Sequence, residues 1–385
     1  MSTQHGDVSI VIPNYDGLEH LGTCLESIAE LDAPGDVEVV IVDNGSVDGS
    51  IEYLRRAHPE VTLIEHGVNT GFARAANHGA EVARHPLVAF LNNDMRVDRS
   101  WLRNLIEPLL EGRCEVTTSQ ARSWDGQRID FAGGASNFHG IGFELGHGES
   151  VESWDVGDEQ PSLFAMGGAM AIRKELFLEV GGFDESFFAY YEDVDLGWRL
   201  WVLGHRIHFV PSSLVFHHHS ATAMRVEESR RRVFYIRNPL CSIFKNYDDA
   251  NLKRVLPAAL LLTTRRTYYQ SRLREEPFRF VGPKPPKASW RQRLAEWLLR
   301  KEGRTSIGPV AAADIVALND FTRALPRLNE ERAKIQGARQ RPDSEILPLF
   351  RKPFCPIEPN AEYAELQAVI VEQFGLTELF PGGGD

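Results

Sequence analysis

The first hundred residues alternate short apolar, β-branched runs with segments whose apolar residues recur at helical spacing. The runs predicted to be strands buried on both faces are 8–12, 37–42, 61–64 and 87–91. The helices predicted between them are 18–31, 49–57 and 72–83. This alternation predicts an α/β fold with a Rossmann-like, mostly parallel central sheet, right-handed crossovers and flanking helices on both faces.

The rest of the chain changes character twice. Between Cys114 and Asp158 the pattern is irregular, with Gly-rich pieces typical of hairpins. The elements predicted after it are a strand at 164–172, helices at 174–180 and 192–203, and strands at 206–210 and 213–216. Past Arg225 the pattern is helical, apart from a Pro-rich linker at 281–287. The chain is therefore predicted to have four segments. The first two, 1–112 and 113–224, are the halves of the α/β domain, and they are followed by a basic helical region at 225–304 and a helical C-terminal tail at 305–385.

Polar and acidic side chains follow three of the predicted strands, at the point where each strand ends. They are Pro13, Asn14 and Tyr15 after the first strand, Asp43, Asn44 and Ser46 after the second, and Asn92, Asn93 and Asp94 after the fourth. In parallel α/β sheets, ligands bind in the crevice beyond the carboxyl ends of the strands. The sequence therefore predicts that these residues converge on one ligand site.

The residue types at these positions suit a nucleotide diphosphate. A carboxylate such as Asp43 can accept the imide N–H of uracil or thymine. Gly71, Phe72, Arg74 and Asn77 begin the helix after the third strand, where unpaired amides and the helix dipole favour phosphate groups. Ordinary turn chemistry, with Arg74 in solvent, is the alternative interpretation of that segment.

Asp94 is the candidate ligand of a divalent cation. A diphosphate leaving group needs its charge neutralised, and a cation that bridges its oxygens to a carboxylate does this. Hard oxygen ligands favour Mg²⁺ or Mn²⁺ over zinc, and a turn-forming aspartate is the alternative. Residues 217–219 are all histidines, but neighbouring strand residues face opposite ways. One histidine completing the Asp94 site is therefore favoured over a three-histidine zinc site.

A second acidic cluster, in the later half of the chain, comprises Glu192, Asp193 and Asp195. It follows an aromatic run and begins a predicted helix, whose dipole alone favours carboxylates there. Asp195 can also pair with Arg199 one turn later. Glu192 and Asp193 are therefore the candidates for a general base that removes a proton from an acceptor hydroxyl.

The net formal charge of −12 conceals a basic segment at 225–304, with about 20 Lys and Arg against 8 Asp and Glu. This segment predicts either an anionic partner, such as a membrane surface, or a solvated face that pairs with the chain's own acidic body. It contains no recognisable nucleic-acid-binding module, so no nucleic acid is expected. The four cysteines lack CxxC spacing, and no apolar run approaches the roughly 20 residues that span a bilayer, which together favour the cytoplasm.

The order of the motifs resembles that of the family 2 glycosyltransferases, most closely the bacterial rhamnosyltransferase and galactofuranosyltransferase type. The matching stretches, within about residues 8–220, are VSIVIPNYDG, VEVVIVDNGSVDGS, NTGFARAAN, FLNNDMRVD, MGGAMAIRKELFLEVGGFDESFFAYYEDVDLGWRLWVLGH and VPSSLVFHH. The resemblance implies a GT-A fold and an inverting mechanism, with 1–112 binding the nucleotide sugar and 113–224 the acceptor. The chain has no Gln-x-x-Arg-Trp motif, which disfavours a processive synthase.

The resemblance also implies roles for individual residues. Asp43 would contact the base, residues 92–94 would occupy the position of the family's DxD motif, and His217 would lie near the metal. Asp193 would be the catalytic base. The first Asp of the DxD motif is replaced by Asn92, whose amide oxygen carries less charge. The residues expected on the acceptor side are Gly167, Gly168 and Trp198.

We therefore predict an enzyme: a metal-assisted inverting glycosyltransferase that uses a UDP- or dTDP-sugar. Its acceptor would be a hydroxyl of a cell-surface glycan, glycolipid or lipid-linked saccharide, reached from the cytoplasm or from the inner face of the membrane. The helical tail is a candidate surface for a homo-oligomer. The alternative, favoured by Asn92, is a non-catalytic nucleotide-sugar or glycan-binding module on the same fold. A dinucleotide-dependent dehydrogenase is disfavoured because GxGxxG is missing after the first strand.

Overall fold

The computed structural model describes residues 6–218, 228–271, 289–301, 308–358 and 360–380. The strands are Val8–Asn14 (β1), Val37–Asp43 (β2), Thr62–Glu65 (β3), Leu87–Leu91 (β4), Met95–Val97 (β5), Val116–Ser123 (β6), Ile129–Phe131 (β7), Gly134–Ser136 (β8), Gly142–Glu144 (β9), Gln160–Pro161 (β10), Ala169–Arg173 (β11) and Ile207–His217 (β12). The helices are Leu18–Ala29 (α1), Ser50–Ala57 (α2), Phe72–Val82 (α3), Trp101–Leu110 (α4), Lys174–Glu179 (α5), Glu192–Val202 (α6), Glu228–Asn246 (α7), Asp249–Ser271 (α8), Trp290–Lys301 (α9), Pro309–Gly337 (α10), Asp343–Ile346 (α11) and Ala361–Gln373 (α12). The linker predicted at 281–287 lies outside the described residues.

One large sheet forms the centre of the molecule, in the order β10-β12-β6-β11-β4-β1-β2-β3. β1 runs parallel to β2 and β4, and β2 runs parallel to β3. β11 is antiparallel to both of its neighbours, β4 and β6. The predicted α/β fold, with a mostly parallel central sheet and a helical C-terminal extension, is confirmed.

The first half follows the sequence pattern closely because its central strands are covered on both faces. Every residue of β4 is buried, as are nearly all those of β1. Helix α3 lies tightly against the sheet, since a Cβ added to Gly79 would come within 2.3 Å of Cγ1 of Val11. The prediction that 61–64 is buried on both faces is wrong. β3 is the edge strand, and its residues are half-buried or exposed.

Two predicted strand boundaries also change. The strand expected at 164–172 begins only at Ala169, because the preceding residues turn: the Ala169 amide donates to the Met166 carbonyl. The two strands expected at 206–210 and 213–216 form the single strand β12, with an irregularity between Val210 and Leu214. This continuity brings the end of β12 beside β5, where His217 is in register with Met95.

The C-terminal helices pack onto the same core as the sheet. Helix α10 lies along α7, and α7 contacts α6. The Trp198 ring meets Tyr247 at 4.6 Å and Phe350 at 5.0 Å, both edge-on, so α6, α7 and the tail share one aromatic contact. Within the described ranges, no helix combines the length and the apolar content needed to cross a bilayer.

Candidate active site

A cavity of about 1600 Å³ opens at the carboxyl ends of β1, β2 and β4. The predicted site residues that line it are Pro13, Asn14, Tyr15, Asn44, Gly71, Phe72, Asn92, Asn93, Asp94, Gly167, Gly168, Glu192, Asp193 and His217. The predicted site residues outside its lining are Asp43, Ser46, Arg74, Asn77 and Trp198. The structure thus brings both halves of the predicted site to one cavity.

Asn14 connects the ends of three neighbouring strands. Its Nδ2 donates to Oδ2 of Asp43 at 2.8 Å and to Oγ of Ser46 at 3.2 Å. Its Oδ1 accepts from Nδ2 of Asn93 at 2.7 Å. Because these bonds join β2, β1 and β4 side by side, the floor of the cavity is a continuous hydrogen-bonded row.

The Asp43 carboxylate is an acceptor in this row, and Asp43 is not among the residues that line the cavity. The residue is fully buried, and its Oδ1 accepts from the amides of Gly45 and Ser46 at 3.1 and 2.9 Å. Oδ2 of Asp43 accepts the bond from Asn14, and a carboxylate oxygen can accept a second hydrogen bond. Asp43 and Ser46 therefore shape the loop after β2, and the contact of Asp43 with the base stays a prediction.

Asn44 ties this loop to the start of α3. Its Oδ1 accepts from the Thr70 amide at 2.9 Å, and its Nδ2 donates to the Gly71 carbonyl at 3.0 Å. The amide of Ala73, in the first turn of α3, donates to the Phe188 carbonyl at 3.4 Å. One of the helix amides predicted to receive phosphate is thus engaged by the later half of the chain.

Asp94 and His217 face each other across the side of the cavity. Oδ1 of Asp94 lies 3.4 Å from Nε2 of His217. The other ring nitrogen, Nδ1, lies 2.8 Å from Oδ2 of Asp130. The pairing of β5 with β12 produces this arrangement, since it places the end of β12 against the residue that follows Asp94.

The electrostatics of this group favour a protonated His217 between two carboxylates, so a cation bound at Nε2 would have to displace the Nε2 proton. Burial alone would lower the pKa of His217, but its bonds to Asp130 and Asp94 raise it to about 10. Burial opposes ionisation of Asp94, yet the hydrogen bond from His217 holds the Asp94 pKa below its ordinary value. An imidazole whose Nδ1–H is held by a carboxylate presents Nε2 as a metal ligand. A carboxylate oxygen and this Nε2 are a donor set that Mn²⁺ accepts.

Glu192 and Asp193 begin α6 and also line the cavity. Oδ2 of Asp193 accepts from the Gly167 amide at 3.1 Å, and Oδ1 accepts from the Val194 amide at 2.8 Å. Glu192 is buried, and its Oε2 has no hydrogen-bond partner among the described residues. Burial raises the pKa of both carboxyls. Raised carboxyl pKa values in a cleft are typical of groups that exchange protons.

Two consecutive glycines join this acid to the strand ends. The Gly168 carbonyl accepts from the Asn92 amide at 2.9 Å, and a Cβ on Gly168 would lie 2.4 Å from Cγ of Asn92. A Cβ on Gly167 would lie 3.4 Å from Cβ of Asp193. Asn92 therefore contacts Gly168 and Asp193 contacts Gly167, so the acidic start of α6 lies close to the end of β4.

Three predicted site residues have other surroundings. Trp198, expected on the acceptor side, is fully buried in the core because α6 turns that face toward α7. The Asn77 amide exchanges hydrogen bonds with the backbone of Phe183, at 2.9 Å each way. Arg74 points outward, 61% exposed, with Glu185 at 3.8 Å. The first two positions are corrected to structural roles.

Sequence reasoning missed Asp130, which orients His217, and a neighbouring cluster. The ligand atoms of Asp130, Glu144 and His147 lie within 4.8 Å of one another. These residues belong to the irregular stretch whose hairpins are β7 to β9. No spacing in the sequence connects them to His217, since only the sheet brings β7 and β12 to either side of β6.

Comparisons with known proteins agree with the fold and the cavity. Residues 9–180 match the family model described as "Glycosyl transferase family 2", and residues 149–221 match one described as "N-terminal domain of galactosyltransferase". An N-acetylglucosaminyl-diphospho-decaprenol L-rhamnosyltransferase of Mycobacterium tuberculosis is 30% identical over 231 residues, which cover 54% of this chain and 75% of the relative.

A pre-mycofactocin glycosyltransferase of Mycobacterium tuberculosis is also 30% identical, over 235 residues. The matched residues cover 60% of this chain but only 46% of the length of that relative. Among solved structures, GalNAc-T7 with UDP, GalNAc and Mn²⁺ superposes with a TM-score of 0.50 at 16% identity, over 83% of this chain and 57% of that one. This last likeness concerns the fold alone. By its motifs and its matched relatives, the chain belongs to the family 2 glycosyltransferases.

Proposed function

We propose that this protein transfers a sugar from a UDP- or dTDP-sugar to an acceptor hydroxyl, with inversion at the anomeric carbon. One observation carries the proposal: the carboxylate of Asp193 and the Asn92–Asp94 turn line the same cavity, where the consecutive residues Gly167 and Gly168 bond to Asp193 and Asn92 respectively. A donor held at the strand ends would present its anomeric carbon toward Asp193. With Asp193 as the base that activates the acceptor, the reaction needs only a single displacement, and a single displacement inverts the anomeric carbon.

On the donor side, the row of amides at the strand ends would bind the nucleotide. Pro13, Tyr15 and Phe72 give the cavity apolar surface for the base, and Asn14 and Asn44 hold the loops that carry them. Asp43 would fix Asn14 and accept the imide N–H of the base. The GalNAc-T7 structure holds UDP, which is in keeping with a uridine donor here.

A divalent cation, Mn²⁺ or Mg²⁺, would be held by Asp94 and His217. Bound there, it would neutralise charge on the diphosphate leaving group. Asp130 would keep the imidazole of His217 oriented through Nδ1. Asn92 would contribute packing against Gly168 and at most a neutral oxygen, so the negative charge of the site rests on Asp94.

In the transfer step, the acceptor oxygen attacks the anomeric carbon while Asp193 takes the hydroxyl proton. The bond from carbon to the diphosphate oxygen breaks, and the nucleoside diphosphate leaves with its electron pair. The Gly167 amide orients the Asp193 carboxylate toward the cavity. Burial, which raises the Asp193 pKa, makes this carboxylate a stronger base than an exposed aspartate.

The acceptor would be a saccharide, glycolipid or lipid-linked saccharide of the cell envelope. The matched relatives include a rhamnosyltransferase named for a diphospho-decaprenol-linked sugar, which favours this class. The cavity has room beyond a nucleotide sugar, since ligand pockets of about 300–1,000 Å³ accommodate drug-sized molecules. Its outer wall is formed by hairpin residues such as Phe143 and Trp154 and by Tyr235 of α7.

A thermal-shift screen of UDP- and dTDP-sugars with MnCl₂, followed by a nucleotide-release assay, tests the proposed function. A true donor should raise the melting temperature by about 5 °C at a hundredfold excess over its Kd, because it binds only the folded state. The stabilising sugar should then release its nucleoside diphosphate. Stabilisation without any release, with a panel of saccharide acceptors present, would favour the non-catalytic binding module.

Helix α9 is the part of the basic segment that suits a membrane surface. Its apolar residues Trp290, Leu294 and Trp297 are 70%, 49% and 54% exposed, and their spacing places them on one face. Arg291 and Arg293 flank that face. Helices of this composition lie in the interface of anionic bilayers. We therefore propose reversible attachment to the inner face of the cell membrane, with the protein otherwise cytoplasmic.

Flotation with phosphatidylglycerol-containing vesicles tests this attachment. The protein should float at low salt and lose adhesion at high salt, because the attraction is partly electrostatic. The double variant Trp290→Ser, Trp297→Ser should bind at least about tenfold more weakly, since it loses two buried aromatic anchors. The control is Val68→Ser with Val369→Ser, which removes exposed apolar side chains elsewhere. Equal flotation of both double variants would exclude α9 as the anchor.

A further inference from the structure

The loop that leads into Asp193 has an unusual backbone. Phe188, Tyr190 and Tyr191 have positive φ angles of 65°, 70° and 69°. The left-handed region is unfavourable for aromatic residues, and such residues persist only where their surroundings enforce them. Tyr191 directly precedes α6, so its conformation determines the direction in which Glu192 and Asp193 leave the loop.

Asn238, on α7, supplies the bonds that hold this loop. It is fully buried, and its Nδ2 lies 3.2, 3.2 and 2.7 Å from the carbonyl oxygens of Phe187, Ala189 and Tyr190. Nε of Arg237 donates to Oδ1 of Asn238 at 2.9 Å. That bond leaves the amide nitrogen directed at the loop, where its two N–H donors are shared among the three carbonyls.

Helix α7 also holds the elements that flank the loop. Nζ of Lys245 donates to Asp184 at 2.7 Å and to Asp195 at 2.9 Å, and all three side chains are at least nine-tenths buried. Nδ2 of Asn246 donates to the other oxygen of Asp195 at 3.1 Å. The turn before the loop and the first turn of α6 are therefore both attached to α7.

The loop touches the donor half of the cavity as well. A Cβ on Gly71 would lie 2.4 Å from the Phe188 carbonyl oxygen, so only glycine permits this approach. The same oxygen accepts from the Ala73 amide at 3.4 Å. Residues 188–191 thus lie between the start of α3 and the acid that begins α6.

We infer that Asn238 is a positioning residue for the transfer reaction, holding residues 188–191 in the conformation that directs Asp193 at the strand ends. The inference rests on the proposed function. Under this inference the basic helical region supports the active-site loop, in addition to any contact that it makes with a membrane. Asn238 itself touches neither proposed substrate, and acts through the loop.

Asn238→Ala tests the inference with two readouts on the full chain. Removing the amide should lower kcat for nucleotide release from the donor identified by thermal shift by about 10- to 100-fold, because a displacement of about 1 Å at a reacting group has this effect. Calorimetric affinity for UDP with MnCl₂ should stay within about threefold, since the strand-end row is intact. The milder Asn238→Ser retains one donor and should give an intermediate kcat, which keeps the test decisive if the alanine variant is unstable.

Gln367→Ala is the matched control. It removes another buried amide, on α12, whose Nε2 donates to the Phe354 carbonyl rather than to residues 184–195, so it should lower the melting temperature comparably but have a kcat within about threefold of the wild type. Equal kcat values in the two alanine variants would overturn the inference. If Asp193→Asn remains active, the proposed function itself fails; if that variant is inactive while Asn238→Ala is fully active, only the positioning role fails.

Discussion

Replacing Asp193 by Asn should lower kcat for sugar transfer by about 10²- to 10⁴-fold, the range typical of a lost general base. The amide oxygen of Asn can still accept from one of the two backbone amides that bond Asp193, those of Gly167 and Val194, so the variant should stay folded with one of these bonds lost. Affinity for UDP in the presence of MnCl₂ should be retained, because the proposed mechanism places Asp193 on the acceptor side of the donor. The measurement is nucleoside diphosphate release with and without acceptor, together with calorimetry of UDP.

The pH profile provides a second check on the same residue. A general base works only when deprotonated, so activity should fall as the pH drops through its pKa. Because burial raises the Asp193 pKa, this fall should occur at a higher pH than an exposed aspartate would give, and it should disappear from the residual activity of Asp193→Asn. Glu152→Gln, an exposed change of equal charge in the same half, is the control. Near-normal turnover in Asp193→Asn would remove this residue from the mechanism.

Asp94→Ala should abolish the part of UDP affinity that depends on Mn²⁺. We expect a loss of at least about 10- to 100-fold, since disturbance of outer-shell groups alone already has that effect on metal sites. Asp94 is the one carboxylate of the Asn92–Asp94 turn, and His217 is its neighbour at 3.4 Å. Calorimetric titration of UDP, with MnCl₂ and then with EDTA, measures the difference.

The EDTA titration serves as the internal control for this variant. Without a cation, wild type and Asp94→Ala should bind UDP equally weakly, because the bonds among Asn14, Asp43 and Asn93 do not involve Asp94. His217→Ala should show the same pattern in a weaker form. Unchanged affinity of Asp94→Ala in MnCl₂ would show that the cation, if one binds, is held elsewhere; the cluster of Asp130, Glu144 and His147 would be the next candidate.

The parallel half of the fold was predictable because its signals are local. Each strand from β1 to β4 begins and ends within two residues of its predicted bounds, and so does each helix from α1 to α3. β-branched runs and helical spacing are properties of short windows, and a parallel sheet covered on both faces requires little else. β3 is the exception in its burial, because an apolar run does not say whether its strand is central or at an edge.

The location of the candidate site could also be predicted, although not every contact within it. Asp94 and Asp193 were identified from motifs that follow strands or begin a helix, and both line the cavity. Asp43 and Trp198 occur in equally strong motifs, yet their side chains are buried. A motif shows that a position matters, but the direction of its side chain depends on packing with distant residues.

The sequence by itself determined the α/β architecture, the family and the strand ends at which ligands gather, because each depends on residues close together in the chain. Only the tertiary structure showed that Asp130 orients His217, 87 residues away, and that Asn238 holds carbonyls near position 189, about 50 residues away. Those contacts depend on the register of β12 against its neighbours and on the packing of α7 against α6. Neither leaves a periodic trace in the sequence, since each is a single contact between residues far apart in the chain.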